Sequence, residues 1–219
     1  MRVIILISLL IYIFSFNLRQ TKKSYDSYVL AVKWYNGYWK PKSRLISINH
    51  AYENKLLIHG LWPYLRNGNT LPPCTSGVNI EFNVNSQLYE NMNKYWPNLE
   101  NQSTNELFWQ DKYNKHGYCL VEEYGWNGYE DYFKFVIEKF QEKYENLIKK
   151  AFPEGKTTTV NYNDMKKKIQ KFIPDAVFDM KCNTYIYELD FFLEKDFSPL
   201  KNASNRKGCT GVLLFNNIK

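Results

Sequence analysis

The chain has 219 residues, 44% of them hydrophobic and 17% aromatic, which excludes an intrinsically disordered chain and fits one domain with a substantial core. Its formal net charge of +7 at pH 7 favours a polyanionic partner such as nucleic acid over a basic one. No repeat, low-complexity tract or Pro/Gly/Ser-rich linker divides it.

Met1 and Arg2 precede an apolar run from Val3 to Phe16, shorter than the roughly 20 residues that span a bilayer. Residues 1–16 therefore read as a secretory leader, and 17–219 as the domain. No stable membrane insertion is expected once the leader is removed. A secretory route is oxidising, so Cys74, Cys119, Cys182 and Cys209 imply two disulfides, with three possible connectivities. Chain order favours Cys74 with Cys119 and Cys182 with Cys209 without excluding the others. The cysteines lie far apart and form no Cys-x-x-Cys pair, which argues against zinc. The triplets starting at Asn101 and Asn202 are N-glycosylation sequons, consistent with a secreted or lysosomal/vacuolar glycoprotein.

In chain order, Tyr28 to Trp34 and Lys55 to His59 are β-rich and predict strands, the second stopped by Gly60 and Pro63. Ser86 to Tyr95 predicts a helix. A second helix is expected from Ser103 to His116, with Ser103 or Thr104 as N-cap, Glu106 nearby and Gly117 as its stop. Tyr129 to Ala151 predicts the longest helix, with Tyr132, Phe133, Val136, Phe140, Tyr144, Leu147, Ile148 and Ala151 on one apolar stripe. Asn163 to Phe172 predicts a further helix. Ala176 to Lys181, Thr184 to Leu193 and Cys209 to Phe215 predict strands, and in the middle one Tyr185, Tyr187, Leu189 and Phe191 alternate with Ile186, Glu188 and Asp190. Helices and strands mix without regular alternation, so the expected fold is α+β, a single domain with a mainly antiparallel sheet packed against several helices.

Two of the three histidines stand in compact motifs: His59-Gly60-Leu61-Trp62-Pro63, and Phe108-Trp109 followed by Lys115-His116-Gly117 and Cys119. Histidine alone has an unperturbed pKa near neutrality, about 6.5, so two imidazoles suffice to take and return a proton. His50 reads as a surface or structural residue. Lys115 by itself would be a solvated helix charge and gains weight from adjacency to His116. Trp109 and Tyr113 read as packing residues, and Trp62 is the preferred base stacker. No Gly-x-Ser-x-Gly elbow and no His-Glu-x-x-His motif points to another hydrolase class.

The two histidine segments resemble the active-site segments of the ribonuclease T2 family, secreted enzymes that cleave RNA without metal. The first segment matches throughout, and the second keeps Phe108-Trp109, Lys115-His116-Gly117 and Cys119 at the family spacing. Cys74 fits the family pattern in which it bonds the cysteine of the second segment. The resemblance implies that His116 is the base, His59 the acid and Lys115 the cation stabilising the phosphorane, with a 2′,3′-cyclic phosphate as product. It further implies a single-stranded RNA substrate and no DNA, since the 2′-OH is the nucleophile, and no cofactor or metal; a monomer is expected.

The chain departs from the family where His-Glu-Trp is usual and Asp111-Lys112-Tyr113 stands instead. Asp111 then occupies the place of a phosphate-binding histidine, and Lys112 adds a compensating cation. Tyr64, Lys33 and Tyr35 also differ from common family residues, so base preference does not carry over. The second reading is a secreted glycoprotein of the same fold that binds RNA or a cell surface, its catalysis weakened or lost through Asp111 and Lys112.

Overall fold

Four antiparallel strands make the central sheet of the computed structural model, which describes residues 25–43, 48–67, 71, 73–74, 77–100, 103–153, 155–201 and 208–214. They are β1 (Ser27–Trp34), β2 (Leu56–Tyr64), β4 (Phe178–Cys182) and β5 (Ile186–Glu194), in the spatial order β2-β1-β5-β4. A small second sheet pairs β3 (Thr158–Val160) with β6 (Val212–Leu214). The helices are α1 (Tyr35–Trp39), α2 (Gln87–Tyr95), α3 (Asn105–Lys112), α4 (Tyr118–Tyr124), α5 (Tyr129–Lys143), α6 (Leu147–Ala151) and α7 (Tyr162–Ile169). This is the expected α+β domain. The leader 1–16, Asn101 and Asn202 lie outside the described residues.

Strand alternation sorts the sheet into two faces. Tyr28, Leu30, Val32 and Trp34 of β1, with Ile58, Leu61, Phe178, Leu189 and Phe191, join the main core beneath the helices. On the other face, Val29 and Phe192 form a small cluster with Leu200, against which Trp62 and Tyr64 pack. Between that cluster and the end of the sheet lie Lys33, Glu188 and Lys181, in register across β1, β5 and β4. The expected stripe of α5 and α6 is buried throughout, from Tyr132 to Ala151.

Three boundaries differ most from the sequence reading, and two short elements are absent from it. β2 does not stop at His59 but runs through Pro63, which pairs with Tyr28. β2 is an edge strand, where a proline without an N–H is tolerated. Gly117 does not end its helix. Thr104 caps α3, its hydroxyl accepting from Leu107 N–H, and the chain passes through a π-helical turn at Tyr113–Gly117 into α4, which ends at Gly125 with φ 64°. Gly117 is there for closeness: a Cβ would come within 2.7 Å of the Tyr132 ring. The long helix breaks between α5 and α6, where the Phe140 carbonyl accepts from both Tyr144 and Glu145 N–H. Finally α1 and β3 escape periodicity because they are only five and three residues long.

The disulfides are Cys74–Cys119 and Cys182–Cys209, with Cα separations of 5.6 and 6.5 Å. This is the pairing that chain order favours. In the chain-entropy model each closure stabilises the fold by about 4 kcal/mol.

Candidate active site

His59 owes its position to a β-bulge. Ala31 of β1 pairs with Gly60 and Val32 with Ile58, so His59 is the extra residue in β2, and the register shifts there. A bulge bends the strand and re-aims a side chain. Ile58 and Leu61, three apart, can both face the core, while His59 is turned to the opposite side. The bulge is pinned by its carbonyls. Trp96 Nε1 donates to His59 O at 3.1 Å, and Tyr132 OH donates to Leu61 O at 3.2 Å. Gly60 is required because a Cβ would run into the Trp62 indole nitrogen.

His116 lies on the π-turn, whose one-residue excess over an α-turn rotates the side chains that follow. The Cys74–Cys119 disulfide anchors this turn, and Cys74 N–H donates to Lys115 O at 2.9 Å. Trp62 is in ring contact with both imidazoles. Its ring centroid is 5.3 Å from that of His59, edge-on, and 5.7 Å from that of His116. Phe108 lies parallel to His59 at 6.5 Å. The structure thus gathers His59, Trp62 and His116 in one cluster, whereas Trp109 and Tyr113 are buried in the core. His50 is exposed and paired with Glu53, away from this cluster.

The cations divide the work unevenly. Lys115 is half exposed, and its Nζ lies 2.6 Å from Asp111 Oδ1. Lys112 is more buried, lies over the Phe108 ring at 5.1 Å, and its Nζ is 3.6 Å from Asp111 Oδ2. Burial pushes the Asp111 carboxyl up, but the two lysines outweigh it and leave the group below its ordinary range. The Lys112 charge acts on both imidazoles. His116 is pushed down to about 4, first by burial and then by Lys112, with Asp111 opposing. His59 is also lowered, by burial first, and here Glu188 opposes.

Sequence reasoning passed over the groups beneath His59. Glu188 Oε2 lies 2.8 Å from His59 Nδ1, an ion pair whenever the imidazole is protonated, though its geometry falls short of a straight hydrogen bond. Lys181 Nζ bridges Glu188 Oε1 at 2.6 Å and Asp190 Oδ2 at 2.8 Å, and sits 5.5 Å above the Trp62 ring. Glu188 and Asp190 are only 2% and 6% exposed, so this is a buried ionic network. Two buried carboxylates on one face of β5 do not share charge equally. Burial penalises the Glu188 charge, yet His59 and Lys181 hold its carboxyl low. Asp190, buried beside Glu188 and with Oδ1 unpartnered among the described residues, is raised. The available signal was the alternation of the strand at 184–193, which puts both acids on one face. Reading that face as buried requires knowing that β5 is central.

A family model described as "Ribonuclease T2 family" matches residues 25–203. Ribonuclease Rh of Rhizopus niveus is 27% identical over 207 residues, covering 85% of this chain and 81% of that protein. Ribonuclease S-7 of Nicotiana alata is 30% identical over 143 residues, covering 62% of this chain and 63% of that protein, slightly less than two thirds of its length. Among solved structures, RNase NT in complex with 5′-AMP superposes with a TM-score of 0.64 over 88% of this chain and 98% of that one, at 20% identity, a likeness of fold.

Proposed function

The chain belongs to the ribonuclease T2 family, and from that premise we propose that it cleaves single-stranded RNA by transesterification, with His116 as base and His59 as acid. His116 takes the proton of the 2′-OH, whose oxygen attacks phosphorus. The bond to the 5′-oxygen breaks, and that oxygen receives a proton from His59. The products are a 2′,3′-cyclic phosphate and a free 5′-hydroxyl, and slow hydrolysis of the cyclic ester follows. The observation that carries this reading is the convergence of both imidazoles on Trp62, at 5.3 and 5.7 Å.

The electrostatics support the division of roles. A histidine pushed down to about 4 is neutral through the mildly acidic range and ready to accept a proton. His59 has the carboxylate partner, and Glu188 favours its charged, donating form. With Nδ1 turned to Glu188, Nε2 is left for the leaving group. Lys112, acting on both rings, and Lys115 supply positive charge where the phosphorane develops. Asp111 occupies a phosphate-binding position of the family, but its pairing with Lys115 neutralises most of its repulsion. Trp62 offers an aromatic face for a base. Two disulfides suit a secretory or vacuolar destination, with glycans at Asn101 and Asn202, and the enzyme acts as a monomer.

A dinucleotide substrate tests the chemistry. Phosphorus NMR is expected to show a 2′,3′-cyclic phosphate accumulating before the 3′-monophosphate, and the 2′-deoxy analogue is expected to be inert. Cleavage of the deoxy analogue would overturn the proposal. RNA binding without any cyclic product from pH 4 to 8 would favour the weakened, binding-only reading that the Asp111–Lys115 pairing keeps open.

A further inference from the structure

The positive charge of this chain is not spread evenly. Residues 149–171 hold seven lysines against two acids, Glu154 and Asp164, while the whole chain carries a formal net charge of +7. Within that segment α7 and β3 enclose an open cavity of about 370 Å³. Lys167, Lys168 and Lys171 line one side of it and Thr158 and Thr159 the other, with Phe152 as an apolar patch. Lys168 Nζ sits 4.2 Å above the Phe152 ring.

Six lysines elsewhere in the fold have counter-ions. Lys33, Lys112, Lys115, Lys139, Lys181 and Lys195 each pair with a carboxylate. Among the described residues no carboxylate pairs with Lys167, Lys168 or Lys171, although Asp164 lines the same cavity. Like charges gathered without counter-ions repel one another, and an external anion removes that penalty. On an α-helix, positions four apart rise by about 6 Å along the axis. Lys167 on α7 and Lys171 just past its end thus offer successive donors along a line, and the two threonine hydroxyls add neutral ones.

The cavity is separate from the histidine cluster. Phe178 of β4 packs on Tyr162 of α7, ring centroids 5.3 Å apart, while Lys181 of the same strand faces Trp62. β4, at the edge of the sheet, therefore stands between the two places.

We infer that the Lys167, Lys168 and Lys171 cavity is a second binding site, for the phosphodiester backbone of RNA that extends past the cleft around the β4 edge. The inference rests on the ribonuclease reading above and adds to it a preference for long substrates. Phosphate contacts of this kind carry no sequence information and release counter-ions. At a slope of about −0.7 per phosphate for single strands, three contacts weaken binding roughly 20-fold between 50 and 200 mM salt.

The test compares wild type with a K167E/K168E/K171E variant. On a long RNA the variant is expected to raise KM by about 10-fold or more, keep kcat and lose most of the salt dependence. Cleavage of a dinucleotide, too short to reach α7, is expected to be unchanged. Anisotropy of a labelled 2′-O-methyl 20-mer, which cannot be cleaved, reads binding alone. If wild type cleaved neither substrate, the ribonuclease reading would fail while the anisotropy comparison still decided the second site. An unchanged KM on long RNA would overturn the inference, as would equal losses on both substrates. So would lysine-dependent binding to anionic phospholipid vesicles with RNA affinity unaltered.

Discussion

His59 and His116 are the same residue type made unequal by their neighbours. Burial lowers both, but Lys112 reinforces the fall at His116, whereas Glu188 resists it at His59. The signs set the pH profile. The base must be neutral, so activity is expected to fall as pH drops through the His116 value of about 4. The acid must be protonated, so activity falls again as pH rises through the His59 value. Glu188→Gln keeps an oxygen for Nδ1–H but removes the charge that lifts His59. It is expected to move the alkaline limb of kcat/KM to lower pH, leave the acid limb in place and reduce kcat about 10- to 100-fold, the size of loss seen when a carboxylate orienting a metal-bound imidazole is removed. Glutamate has a depressed folded-state value here, so its stabilising contribution is full above its unfolded range and is lost as pH falls through the depressed folded value. An unshifted alkaline limb would show that Glu188 only fills space. At this scale His59, Trp62 and His116 were legible because their motifs are contiguous in sequence. Glu188, Asp190 and Lys181 were not, since their partners lie on other strands and only pairing across the sheet joins them.

At the scale of elements, two local irregularities present the chemistry. A bulge in β2 holds His59, and a π-turn between α3 and α4 holds His116. Neither is visible in hydrophobic periodicity, which assumes one regular repeat within each element. Gly60 and Gly117 are the traces they leave in the sequence, where each has the look of a stop. Their actual work is to let Trp62 and Tyr132 approach the backbone. The π-turn depends on the Cys74–Cys119 bridge and the Cys74 to Lys115 backbone bond. A Cys74→Ser/Cys119→Ser variant is expected to lose about 4 kcal/mol in urea unfolding. It is also expected to lose kcat at temperatures where circular dichroism shows it folded, because His116 is no longer fixed opposite His59. Full kcat in the folded variant would mean that the turn keeps its shape without the bridge.

For the whole molecule, fold class and most elements follow from composition and patterning, while chain order favours the disulfide pairing without fixing it. The sheet order does not follow from them, and with it goes the recognition that β5 is central and that its polar face lies under the cleft. The sheet divides the labour: one face joins the aromatic core beneath the helices, and the other carries His59, Trp62 and the buried charges. A cluster of three lysines without carboxylate partners lies beyond β4, apart from both. Under the proposed function, such an arrangement would place catalysis on a rigid platform and leave binding of long polyanions to the rim.

The most direct measurement is cleavage of single-stranded RNA in EDTA by wild type, His59→Ala and His116→Ala, each first shown to be folded by circular dichroism. Wild type should release cyclic-phosphate ends without added metal, and each substitution should lower kcat/KM by about 10³-fold, within the range for losing a general acid or base. Cleavage that requires a divalent ion, or that survives either substitution, would contradict the two-histidine account.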